Sequence, residues 1–374
     1  MMREKEADNT VANRYLAYEK KISPVIFWNL TGRCNLDCVH CYNRSGPDKS
    51  NSEELSTTEA LAFIDDCAAL KVPVILLSGG EPLIREDIWE LAQYASRLGI
   101  KTALSSNGTL ITRETAKKIH DAGIGYVGIS LDGASAQTHD RFRGTDGAFD
   151  RATQAFHNCR EEGIRCGVRV TITRDTIAEL DDLITLSLRL SASRFCVYWL
   201  VPSGRGSDSY QELQLDEQQV RDVLLTLHRR AEETDPAVME FLTVDAPQDA
   251  VLLLDTMEKR GSQDLDEART LISSMKGGCS AGIRVANISP EGDVYPCQFA
   301  QIPRFRVGSI REKRLSELWN DPENPVLALF RDKKERLTGR CKSCQYLDLC
   351  GGGCRIRAYH ETGEFGDDDP FCFV

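Results

Sequence analysis

Cys34, Cys38 and Cys41 stand in the run Cys34-Asn35-Leu36-Asp37-Cys38-Val39-His40-Cys41, with the spacing Cys-x3-Cys-x2-Cys. Three thiolates so close together can hold an iron-sulfur cluster, which takes four ligands when closed. A cubane held by three leaves one iron open to a small molecule, and an open iron can do chemistry rather than only carry electrons. Structural zinc is the competing reading of a short cysteine run. Zinc favours a closed tetrahedral set, whereas no fourth Cys or suitably spaced His follows nearby, and His40 lies between two of the ligands. The spacing therefore favours a cluster with one open position.

Three more motifs could serve a ligand on that iron. Ser78-Gly79-Gly80-Glu81-Pro82 follows an apolar run. Paired glycines let a backbone approach a ligand closely, and a neighbouring carboxylate can receive an ammonium group. Ser105-Ser106-Asn107-Gly108-Thr109 and Ser130-Leu131-Asp132-Gly133 close two later runs and carry groups able to hold a ribose. Singly, each motif reads as an ordinary turn. On consecutive strand ends beside an open iron, they outline a ligand site.

Convergence of these motifs requires the chain between them to alternate strands and helices, and it does. Residues 24–30 read as a buried strand that delivers the cysteines. Ser56-Thr57-Thr58-Glu59 is a capping box opening a helix to about residue 70, ahead of a strand at 72–77. Helices at 86–98, 113–122, 149–163 and 177–190 precede strands at 102–105, 126–130, 167–173 and 194–200. This pattern predicts an α/β fold, a parallel sheet with right-handed crossovers curled into a partial (β/α)6 TIM-like barrel. Function in such folds gathers at the C-terminal strand ends. We expect a flexible arm over 1–22, the barrel over 23–202, and a linker and helical bridge over 203–276. A small domain organised by metal rather than by a hydrophobic core is expected over 277–374.

Composition narrows the class further. A net charge of -11 argues against nucleic acid as a partner, because phosphate neutralisation needs basic surface. No apolar run reaches the roughly 18 residues of a membrane span, and the first residues lack the apolar core of a signal peptide. A cytoplasmic enzyme is expected. There, 14 cysteines point to metal rather than disulfides. Cys67, Cys159, Cys166 and Cys196, outside the two terminal clusters, read as inert core residues.

Together the cysteine triplet and Gly79-Gly80-Glu81-Pro82 resemble the radical S-adenosylmethionine enzymes, whose cluster motif has an aromatic residue where His40 stands. The resemblance implies S-adenosylmethionine on the open iron of a [4Fe-4S] cluster, reduced by a low-potential donor of ferredoxin or flavodoxin type. It further implies that Glu81 and the Gly79-Gly80 backbone bind the methionine amine. Ser105, Asn107 and Ser130 would touch the ribose or carboxylate, and the His40 ring would lie near the adenine. Arg143 and Arg169 are candidates for the carboxylate, with a structural ion pair as the alternative role.

Seven C-terminal cysteines, Cys279, Cys297, Cys341, Cys344, Cys350, Cys354 and Cys372, could hold two zincs or two clusters. Their pattern resembles the SPASM extension of the same enzymes, which carries auxiliary [4Fe-4S] clusters. By that resemblance Cys341, Cys344, Cys350 and Cys372 close one cluster. Cys279, Cys297 and Cys354 would hold a second, incompletely ligated one, unless a nearby Asp, Glu or His closes it; one or two auxiliary clusters are expected. Tyr198, Trp199 and Arg205 suit a flat substrate bearing carboxylates. Their segment, with 24–30, 139–144 and 243–249, is similar to the tetrapyrrole-modifying branch, nearest the haem d1 biosynthesis and 12,18-didecarboxysiroheme deacetylase types. That similarity implies removal of acetate or propionate arms from a siroheme-derived tetrapyrrole. His157, His228 and His360 could ligate substrate iron, with a surface or core role as the alternative for each. Maturation of a ribosomally made peptide is the alternative.

Overall fold

The computed structural model describes residues 23–274 and 278–373; the expected arm over 1–22 lies outside them. Six strands alternate with helices: β1 (Val25–Asn29), β2 (Val74–Ser78), β3 (Lys101–Ser106), β4 (Ile124–Ser130), β5 (Cys166–Ile172) and β6 (Arg194–Trp199). Neighbours pair in parallel in that order, so the six C-terminal ends share one rim. Ile26 and Trp28 are fully buried on one face of β1, where Trp28 meets Phe63 edge-on at 4.9 Å. Phe63 belongs to the helix Thr57–Ala69, which starts at the expected capping box: Ser56 and Glu59 each accept the other's backbone N–H. A helix the periodicity did not suggest, Ala136–Arg143, follows β4 and carries Arg143 to the rim. Its sequence is mostly polar, so no apolar stripe announced it.

The sheet continues past the sixth strand. β7 (Glu240–Val244), from the bridge, pairs in parallel with β6, and β8 (Val285–Ile288), from the C-terminal domain, pairs in parallel with β1. β9 (Asp293–Tyr295) and β10 (Gly308–Ser309) add antiparallel, giving the order β10-β9-β8-β1-β2-β3-β4-β5-β6-β7. Backbone hydrogen bonds thus join the C-terminal domain to the barrel. The side chains reinforce this where Ser316 donates from its N (2.9 Å) and Oγ (2.6 Å) to Asp66.

Two expectations need correcting. Residues 203–219 are not a free linker: Gly204–Ser207 forms a tight turn against the cysteine loop, and Tyr210 and Leu213 are buried. The C-terminal domain also has a hydrophobic core of its own. Phe305, Phe330 and Phe365 pack edge-on with centroids 5.0–6.1 Å apart. These rings come from two short helices, Pro303–Phe305 and Pro325–Arg331, and from a turn, too short for a period to betray them. Among the described residues no helix is long and apolar enough to cross a membrane.

Candidate active site

β1 runs directly into the cysteine loop, and the turn after β2 holds that loop in place. Gly80 N donates to Thr31 O (2.8 Å) and Glu81 N to Arg33 O (2.9 Å). A Cβ on Gly80 would lie 2.0 Å from Arg33 O; one on Gly79, at φ 129°, would lie 2.6 Å from Thr31 O. The paired glycines therefore let two loops close to within backbone contact. Glu81 ties the next strand to them: its buried carboxylate accepts from Leu83 N (3.2 Å), Ser106 Oγ (2.9 Å) and Asn107 N (2.8 Å). Burial raises its pKa to about 7 against the pull of these donors.

The three cysteines open onto a cavity of about 140 Å³ whose wall includes His40, Gly79, Gly80, Ser105, Asn107, Ser130, Arg143, Arg169, Tyr198, Trp199 and Arg205. Of the residues expected to touch cofactor or substrate there, Glu81 is absent from the wall, because its carboxylate is engaged behind it. Each thiol already faces a donor: Leu36 N to Cys34 Sγ (3.4 Å), Arg143 Nη1 to Cys38 Sγ (3.7 Å) and Ser45 N to Cys41 Sγ (3.3 Å). Burial pushes the free Cys34 thiol up to about 12 and Cys38 upward too, so ligation must displace their protons. The donors suit the thiolate charge that would result.

The His40 ring stacks on Phe142 at 4.3 Å, and its Nδ1 is shielded from solvent without a partner. Such an orphaned nitrogen fits the polar edge of an adenine. The two candidate arginines differ. Arg143 pairs with the fully buried Asp132, whose other oxygen accepts from Thr171 N (2.7 Å). Arg169 forms no ion pair among the described residues and lies 4.6 Å over the Tyr198 ring. Arg169 is thus the more available cation for a carboxylate.

The expected substrate residues divide as well. The Tyr198 ring belongs to the wall beneath Arg169. Trp199 is buried in the core with its ring edge-on to Phe371 at 6.2 Å. Arg205 is turned to the cysteine loop: it donates to Cys38 O (2.9 Å) and Ser45 O (2.7 Å) and pairs with Asp37 (2.8 Å). Trp199 and Arg205 thus stay on the cavity wall while also serving the fold, Trp199 against Phe371 and Arg205 against the cysteine loop. None of His157, His228 and His360 lines the cavity. Phe27, Tyr42, Gln298 and Phe299 also line the wall and were not among the residues expected there. Adjacency to Cys41 and Cys297 was the one available signal for Tyr42 and for Gln298-Phe299.

Cys279, Cys297 and Cys354 line a second cavity, and Phe27, Gln298 and Phe299 border both. Farther along the chain, burial raises the Cys341 thiol to about 12 and Cys350 to about 11, with nearby Cys372 adding to both. Asp369 joins the two groups: its buried carboxylate accepts from Cys354 N (2.6 Å) and from Arg357 Nε (2.9 Å) and Nη2 (2.8 Å). The close fit needs Gly353, where a Cβ would lie 2.4 Å from Asp369 Oδ2.

Residues 28–186 match the Radical SAM superfamily, and residues 279–345 match the SPASM iron-sulfur cluster-binding domain. The chain is 41% identical over 365 residues to the Fe-coproporphyrin III synthase of Methanosarcina barkeri, covering 96% of this chain and 90% of that protein. It is 37% identical to the pre-heme d1 synthase of Dinoroseobacter shibae (94% and 86% covered) and 33% identical to the mycofactocin maturase MftC of Mycolicibacterium smegmatis (92% and 81%). Streptococcus suis SuiB bound to S-adenosylmethionine shares the fold, at TM-score 0.73, 20% identity and coverage of 99% of this chain and 82% of that one. The chain belongs to the radical S-adenosylmethionine superfamily and carries its SPASM domain, with S-adenosylmethionine and [4Fe-4S] clusters as cofactors.

Proposed function

We propose that this chain removes acetate or propionate arms from a siroheme-derived tetrapyrrole in haem or haem d1 biosynthesis. The observation that carries the reading is the nearly full-length likeness to Fe-coproporphyrin III synthase and pre-heme d1 synthase. The cavity is compatible with it: Phe27, Tyr198 and Phe299 offer aromatic surface to a flat ring system. When bound, S-adenosylmethionine and the reduced cluster supply a primary carbon radical able to abstract hydrogen.

The chain's own residues prepare the site for that chemistry. Cys34, Cys38 and Cys41 would hold the cluster, and Arg205 and the Gly79-Gly80 turn fix their loop. His40 and the ends of β3 and β4 would orient the nucleoside. The reactive carbon centre requires water to be kept out of the filled cavity. The reaction is placed in the cytoplasm, with a ferredoxin- or flavodoxin-type donor.

The test is anaerobic incubation of reduced protein with S-adenosylmethionine and, separately, didecarboxysiroheme or Fe-coproporphyrin III, followed by mass spectrometry. Loss of arm mass from either is the expected result. Formation of 5'-deoxyadenosine beside unchanged tetrapyrroles would reject this substrate class. The MftC likeness supports a second reading, a peptide substrate, and modification of a precursor peptide in the same assay would favour it. For the cofactor itself, Arg169→Met is expected to weaken S-adenosylmethionine binding roughly 10–100-fold, the worth of a charge-assisted hydrogen bond. Anaerobic equilibrium dialysis measures it, and an unchanged Kd would transfer the role to Arg143.

A further inference from the structure

Three cysteines, Cys279, Cys297 and Cys354, surround about 310 Å³ of free volume, and the last residue of their ring is contributed from outside the C-terminal domain. Asp245 follows β7 directly and enters the same cavity wall. Its backbone is left-handed, at φ 69°, a conformation Asp tolerates better than most residues. Asp245 Oδ2 is shielded from solvent and has no hydrogen-bond partner. Leaving a carboxylate oxygen so placed is costly unless something occupies the space it faces.

We propose that Asp245 is the fourth protein ligand of the auxiliary cluster held by Cys279, Cys297 and Cys354, coordinating through its carboxylate the iron those thiolates leave open.

Three further observations support the assignment. First, Asp245 shares one cavity wall with all three cysteines. Asp249, the other carboxylate of this wall, is already engaged, accepting from the Thr243 hydroxyl. Second, buried cations surround the group. Lys333 Nζ donates to Cys279 O (2.7 Å), Arg357 Nη2 donates to the Asp245 carbonyl (2.6 Å), and Arg355 is fully buried nearby. Such cations offset the charge of three thiolates and a carboxylate. Third, among the described residues no three Cys, His, Asp or Glu side chains are gathered tightly enough for a single metal ion. Ligands spread around a cavity suit a polynuclear cluster, with one ligand to each iron.

Ligation exchanges a water or an empty position for a carboxylate lone pair and changes no oxidation state. It also gives β7 a function: the strand that closes the barrel's edge beside β6 delivers a ligand to a cluster in the other domain. The proposal depends on the iron-sulfur character of the chain and not on the identity of its substrate.

The test uses the full-length protein carrying Cys34→Ala, Cys38→Ala and Cys41→Ala, so that only auxiliary clusters contribute to the spectra. After reduction in water enriched in oxygen-17, electron-nuclear double resonance should find no exchangeable water on the cluster iron. Asp245→Ala should gain that water signal, and added cyanide should shift its electron paramagnetic resonance spectrum but not that of the parent. Asp245→Cys should keep the parent's iron content, lack the water signal, and shift the cluster's reduction potential. Bound water or a cyanide-induced shift in the parent would overturn the proposal. So would an Asp245→Cys spectrum and potential identical to the parent's, a measurement that stands even if Asp245→Ala fails to fold.

Discussion

Gly80→Ala is expected to lower 5'-deoxyadenosine formation by at least about 100-fold, the scale on which a misplacement of about 1 Å acts. The added methyl would stand 2.0 Å from Arg33 O, immediately before Cys34. Backbone cannot yield there as a flexible side chain could, because Gly80 N and Glu81 N are themselves bonded to that loop. The loop must retreat, and with it the first of three ligands that act only when correctly spaced. Iron content and 5'-deoxyadenosine, quantified together after reduction, separate a lost cluster from a misplaced one. Near-normal turnover in this variant would remove the turn from the active site. Global stability should change much less, since the turn lies at the rim and the core behind β1 and β2 is untouched.

The largest stability effect is expected at Arg357. Its guanidinium and the Asp369 carboxylate are almost completely buried and bonded through two nitrogens. Arg357 also stacks 4.5 Å from the Phe371 ring and donates to Asp245 O. The ion pair holds the Asp369 pKa below the usual carboxylate range despite burial, so removing the arginine strands a charge. Arg357→Met should cost about 3–5 kcal/mol, the usual penalty for breaking a buried pair on one side. Denaturant titration under anaerobic conditions checks it. Arg357→Met combined with Asp369→Leu should recover much of the loss, because no uncompensated charge remains. A single variant as stable as the parent would show that Asp369 finds another partner.

The helix and strand pattern was legible because the relevant interactions are local. A capping box spans four residues, and a buried strand shows its apolar run directly. The helix Ala136–Arg143 was invisible to a hydrophobic pattern because its buried face, Thr138, His139, Phe142 and Arg143, is mostly polar. Arg205 shows a different gap. Its Gly-flanked position suggested an exposed binding residue, yet its three engaged nitrogens meet carbonyl and carboxylate groups some 160 residues earlier in the chain. Trp199 likewise lines the cavity, and its contact with Phe371, far along the chain, could not be read from its own segment.

By itself the sequence determined which thiolates could form a cluster with an open iron, and which strand ends would surround it. Cysteine spacing and strand period act over a few residues, so a linear reading captures them. The tertiary structure decided what each side chain does with its polar groups. Glu81 braces β3, Arg205 clamps the cysteine loop, and Arg169 has no carboxylate partner among the described residues. It also brought β7 and β8 into one sheet and set Asp245 among three cysteines of a different segment. Those pairings depend on burial and on hydrogen-bond competition between distant parts of the chain, and no local pattern encodes them.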